Sequence, residues 1–311
     1  MKVEKIKESL YHIYNCEYPI GNTCICSKIK DNGIGSLLVI QKEDGPFPSL
    51  QVKGLWSYKR PVNNIKKLSI FEKYRISDFI NYERNYKRPV GIYIKSKHTN
   101  TIELLLSQIQ DINNNERPFP DDEQCCQPFQ MGCNGKIVCH GTTLENFKKI
   151  LIDMKLKSKR TLDKDINQEY SMKENVGEPE DFLDYVMFAN GNCVAPEFVI
   201  ESRRQNRFLF PDEVVNIFYP GVRLFYNFKE LCNLENKAFD GIHPIKLKYN
   251  HELTYGLVLI TIPAYDINGN RINHKFETTQ KLIKKIEYFD NRCIKIPEWC
   301  KMVYDRAIEL L

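Results

Sequence analysis

No stretch of the 311-residue chain is apolar for long enough to span a bilayer, and the charged start Met1-Lys2-Val3-Glu4-Lys5-Ile6-Lys7 lacks the apolar segment of a signal peptide. The expectation is a soluble, intracellular, cytoplasmic protein with no membrane partner. Metal-type spacing is missing too. Cys125, Cys126, Cys133 and Cys139 crowd upstream of His140, but without a Cys-x-x-Cys pair or a second half they fit structural zinc poorly, so no metal is expected. Eleven cysteines, odd in number and irregularly spaced, do not form a disulfide framework in a chain this large, and reduced thiols are the default. An excess of one charge is also absent. A net charge of +5 from 45 basic and 40 acidic residues permits an anionic ligand or nucleic acid without demanding either. The pentapeptide Tyr-Lys-Arg-Pro-Val occurs at 58–62 and 86–90, and with no third copy a solenoid is excluded.

What is present organises around Lys136-Ile137-Val138-Cys139-His140-Gly141-Thr142-Thr143-Leu144-Glu145. An apolar strand here delivers His140 and Gly141 to a helix whose inner face is Phe147, Ile150, Leu151 and Met154. Thr142 and Glu145 have capping-box spacing. The free amides and positive dipole end of such a helix suit an anion such as a pyrophosphate. A strand-to-helix turn with a half-buried core histidine is the other reading.

Upstream, residues 2–14 have helical spacing through Ile6, Leu10, Ile13 and Tyr14. Ser36 to Ile40 reads as a strand, and Glu43-Asp44-Gly45-Pro46 as the turn of a hairpin returning through Leu50-Gln51-Val52. Residues 55–95 interleave rings with cations. They could stack bases and neutralise phosphates, or pack rings inward with basic stems over them. A strand at 90–94 and a helix at 101–110 follow. The Asn, Pro and acidic run of 113–130 is a linker, dividing an N-terminal α+β domain (1–112) from a second domain (131–311).

In the second domain the charged segment 155–180 reads as a mobile loop, and Asp184 to Asn192 as a strand into a turn. A helix then ends in Arg203, Arg204 and Arg207, which could grip phosphates or form a solvated helix end. Strands are expected at 208–210, 214–219, 222–226 and 254–263, with Glu252 just before the last, and helices at 276–289 and 297–311. The final helix is expected to turn Trp299, Val303 and Leu310 inward.

The order strand, His140-Gly141-Thr142, helix, charged loop, Tyr185 strand, further strands and a late strand behind Glu252 resembles the ADP-ribosyltransferase fold of the His-Tyr-Glu kind. Poly-ADP-ribose polymerases, DNA-modifying toxins and the transferases that remove an RNA 2'-phosphate share that fold. The resemblance covers residues 131 to 265. It implies an α+β domain built on a split antiparallel sheet with flanking helices, and NAD as substrate. His140 would hold a ribose hydroxyl, and the Gly141 backbone would pair with the nicotinamide amide beside Thr142. Tyr185, or Met187 if Phe188-Ala189 sets the register, would stack on nicotinamide. Arg203 and Arg204 would face phosphates, and Glu252 would be the catalytic carboxylate, with Glu197 and Glu201 as rivals. Such a carboxylate stabilises the positive charge that builds on the ribose as the nicotinamide bond breaks. The implied activity is transfer of ADP-ribose to a nucleic acid or protein acceptor. RNA 2'-phosphotransfer and a non-catalytic binding module on the same scaffold are the alternatives.

Overall fold

The computed structural model of the protein describes residues 2–4, 11–15, 36–42, 56–62, 67–88, 90–94, 107–108, 135–166, 179–205, 207, 209, 211–272 and 276–311. Strands β1 (Lys2–Glu4), β2 (Tyr11–Asn15), β3 (Ser36–Lys42), β4 (Trp56–Val62) and β5 (Val90–Ile94) form one sheet, in the order β1-β2-β5-β3-β4. Two expectations fail here. In place of a helix over 2–14, β1 and β2 pair antiparallel, Lys2 opposite Asn15, and β2 runs parallel to β5. The β-prone run Tyr11-His12-Ile13-Tyr14 and its sheet partners override the helical spacing. The hairpin from β3 is also replaced. Both neighbours of β3 are parallel to it, and parallel strands need a crossover that a tight turn cannot supply. Residues 50–52 and the linker 113–130 lie outside the described residues, and only 107–108 of the 101–110 helix lie within them.

Between β4 and β5 runs helix α1 (Ile70–Asn85), closed at its start by a Ser69–Glu72 capping box. Its Tyr74, Arg75, Ile76, Phe79, Ile80, Tyr82 and Glu83 are buried, so here rings and a cation turn inward together. The first Tyr-Lys-Arg-Pro-Val copy lies inside β4, whereas in the second Tyr86 caps α1 and Val90 opens β5.

The larger sheet has seven strands. These are β6 (Ile137–Thr142), β8 (Tyr185–Asn190), β9 (Val222–Asn227), β10 (Lys237–Ala238), β11 (Ile245–Lys248), β13 (Leu257–Pro263) and β14 (Ile286–Phe289). Their order is β10-β11-β8-β6-β9-β13-β14, and every pairing is antiparallel except β13 with β14. A separate pair joins β7 (Lys155–Lys157) to β12 (Asn250–Glu252).

Both faces of this sheet are covered. Val138, Val186, Phe188, Leu224, Tyr226 and Ile260 pack beneath α2 (Leu144–Asp153) through Phe147 and Leu151. Ile137, Cys139, Phe225 and Leu259 face α8 (Ile296–Glu309) through Trp299, Val303 and Ala307. Successive strand residues alternate between the two cores, as the period of two requires. Leu310, expected inside, is 44% exposed, because α8 ends at Glu309.

Several other segments depart from expectation. The cap of α2 is Thr143, whose Oγ1 accepts from Asn146 N, while Thr142 still belongs to β6. The charged segment after α2 holds β7 and α3 (Lys159–Ile166). Pro211–Ile217 is a helix, α5, where a strand over 214–219 is expected, its proline opens it, and the four-residue α6 (Phe228–Leu231) follows β9. The 276–289 helix is a four-residue α7 (Gln280–Ile283) followed by β14, so its apolar residues serve two elements. Among the described residues no helix is long and apolar enough to cross a membrane.

Candidate active site

Strand β6 and its neighbour β8 pair only at Val138↔Asn190 and Cys139↔Ala189, whereas β6 stays paired with β9 as far as Thr142↔Val222. The sheet therefore splits beyond Cys139, on the side that faces β8. Because Ile137 O accepts from Gly191 N on that side, Cys139 and Gly141 direct their backbone groups the same way. At Gly141 the β8 ladder has already ended.

His140 bridges this opening. Its Nδ1 lies 3.1 Å from Met187 O on β8, and its ring packs 6.0 Å from Phe188. Burial lowers its pKa to about 4, the Met187 bond opposes that, and Arg203 and His251 add to it, so the imidazole is neutral at pH 7. His251, at 3% exposure, is likewise held at about 4 by burial. The reverse face of Gly141 is tightly covered, since a Cβ there would meet Pro196 Cβ at 2.7 Å and Ile200 Cδ1 at 3.0 Å. Both belong to α4 (Ala195–Arg204).

The other expected site residues are distributed as follows. Met187 contributes its carbonyl to His140, and its side chain packs with Tyr185 on the far side of β8. Tyr185 is buried against α1, its hydroxyl 2.8 Å from that of Tyr86. Arg203 is exposed and close enough to depress the His140 pKa. Arg204 turns inward, with Nη1 2.8 Å from Glu201 Oε2 and further bonds to Tyr219 O and Pro220 O. Glu252 faces solvent with its side chain 60% exposed and pairs with Lys155 at 2.9 Å. It leaves β12 opposite to His251, which points into the core. Glu197 is wholly buried on Arg223, and Glu201 is occupied by Arg204 and Gln205.

A second polar cluster has only turn signals in the sequence, at Asp240-Gly241 and His243-Pro244. Asp240 is 1% exposed, yet His243 and Lys246 overcome the desolvation that would raise its pKa and hold it well below the carboxylate range. Its Oδ2 lies 2.9 Å from His243 Nδ1 and 3.0 Å from Lys246 Nζ. The Lys246 ammonium sits over the rings of Phe182, Tyr82 and Tyr185 at 3.5, 3.8 and 4.6 Å. Burial lowers its pKa, against the pull of Asp240. A lysine in a strand next to two aromatic-rich segments carries no local mark of such a cage.

No known protein family matches the chain, and no curated protein is similar to it.

Proposed function

We propose that the chain binds NAD at the split between β6 and β8 and transfers its ADP-ribose to a macromolecular acceptor, nucleic acid ahead of protein. The observation that carries this reading is the unpaired edge at Gly141 beside a neutral, oriented His140. An amide edge left open at the end of a ladder suits a carboxamide, and an imidazole held through Nδ1 offers Nε2 to a ribose hydroxyl. The start of α2, capped by Thr143, and exposed Arg203 would face the phosphates. Tyr185 fits a stacking role less well than His140 fits its own, because α1 holds it. The antiparallel sheet and the order of its pieces support an ADP-ribosyltransferase-like core.

A second reading, NAD binding without transfer, is favoured by one observation. Glu252 pairs with Lys155 in solvent, and Glu197 and Glu201 are occupied by arginines. Two measurements separate the readings. NAD raises the melting temperature in both, since a ligand of the native state stabilises it. Labelled NAD with cell extract marks an acceptor only in the first. A wild type with no melting shift, or one whose shift His140→Ala leaves intact, overturns both.

A further inference from the structure

Among the tasks that the transfer reading leaves without a residue is removal of the proton from an acceptor hydroxyl. His243 has the chemistry for it. It is bonded to a carboxylate, whereas His140 and His251 face the carbonyls of Met187 and Tyr255. Asp240 Oδ2 takes Nδ1, and Asp240 Oδ1 accepts from the His243 and Ile242 amides at 2.7 and 2.8 Å, which fixes the carboxylate itself. This leaves Nε2 as the acceptor nitrogen. The His243 side chain is 22% exposed and that of Asp240 1%, so the imidazole reaches the surface while its carboxylate does not.

The pair is also braced from other elements. Arg75 of α1 donates to His243 O at 2.5 Å, and Phe182 packs edge-on against the imidazole, 5.9 Å between centroids. Phe182 and Ile242 share a cluster with Tyr185 and Met187, and it is the Met187 carbonyl that holds His140. β11, which follows His243, is two strands from β6, about 10 Å across the sheet, and its Ile245 pairs with Phe188, the residue after Met187.

We propose that His243, oriented by Asp240, is the general base of the transfer, a role that rests on the NAD-transfer reading above. The acceptor hydroxyl gives its proton to Nε2 as its oxygen bonds to the ribose carbon, the bond from that carbon to nicotinamide breaks, and nicotinamide leaves with the bond's electron pair. The proton passes from Nε2 to solvent. Asp240 is a positioning residue. The charged groups on this turn are Asp240, bonded to the imidazole, Lys246 of β11, which shares the Asp240 carboxylate, and Arg75 of α1, which donates to His243 O.

The test uses the full chain, labelled NAD and cell extract across pH 5.5 to 8.5. His243→Gln is expected to keep the NAD melting shift and to lose roughly a hundredfold or more in transfer. Asp240→Asn is expected to lower kcat while leaving the KM for NAD and the NAD melting shift unchanged, because Asp240 orients the imidazole without touching NAD. If His243→Gln does not fold, carbethoxylation of wild-type His243 by diethyl pyrocarbonate, followed by mass spectrometry, is expected to slow when NAD is added. Wild-type transfer rates in folded His243→Gln, or equal carbethoxylation with and without NAD, overturns the role. A wild type with no melting shift overturns NAD binding itself, and a shift without transfer overturns the transfer reading together with this role.

Discussion

Glu197 and Arg223 face each other with no exposure to solvent, Oε1 and Nε 2.7 Å apart. The guanidinium is satisfied on its other edges by Gly191 O, Cys193 O and the Cys300 thiol, and Glu197 Oε2 accepts from Gly221 N. The pair thus ties α4 to β9 directly behind Gly141. Removing one partner leaves the other charged and dry. Glu197→Ala is expected to cost about 3–5 kcal/mol of unfolding free energy, and Glu197→Gln less, measured by urea denaturation. A loss under 1 kcal/mol for Glu197→Ala would show that the pair does not anchor α4.

His140 and His251 make stability fall with acid. Both have folded pKa values near 4, below the unfolded value of about 6.5, so the unfolded chain takes up protons first as pH drops. Their contribution is complete above about pH 6.5 and is lost towards pH 4. At pH 5 each costs roughly 2 kcal/mol relative to pH 7. Urea midpoints at the two pH values test this, and His251→Gln is expected to remove about half of the acid sensitivity. An unchanged pH dependence in that variant would place its source elsewhere.

How much of this was legible in the sequence divides by the range of the interactions. The β6 strand, the α2 face and the long strand β13 follow from local periodicity and are found within a few residues of where the pattern sets them. The cap shifts by one residue because Thr142 and Thr143 are chemically alike and pairing with Val222 decides which stays in the strand. The parallel partners of β3, the burial of Arg223 and the Lys246 cage depend on residues 20 or more positions away, and no local pattern encodes them. Glu252 shows the same limit. Its place before β13 is a matter of order, but its direction is set by alternation along β12, which sends His251 inward instead.

Arg88 joins the end of α1 to the turn before β8. Its fork meets Glu83 at 2.6 and 3.0 Å and Asp181 at 2.5 Å, and those carboxylate side chains are only 1% and 8% exposed. Arg88→Ala is expected to destabilise by about 3 kcal/mol, since two carboxylates lose their cation. Arg88→Lys recovers only part, because an ammonium cannot serve both in the same geometry. Equal stability of the lysine and arginine forms in denaturant would show that the fork does not hold α1 to the turn before β8.

Gly141 has two surfaces with separate uses. Its Cβ direction points out of the sheet at α4, where Pro196 and Ile200 leave no room, while its amide and carbonyl lie in the sheet plane towards β8. Gly141→Ala forces the strand away from Pro196 Cβ, at a cost of about 1–3 kcal/mol and with loss of the NAD melting shift, because the edge moves with the strand. Adding Pro196→Gly removes the Cβ that the new methyl meets at 2.7 Å, and the remaining 3.0 Å neighbour, Ile200 Cδ1, is the end of a flexible side chain that can turn aside and let β6 return. The double variant is therefore expected to recover the NAD shift even if α4 loses stability with its proline. A double variant that folds with native strand content but stays silent to NAD would show that a ligand does not read the backbone edge of Gly141.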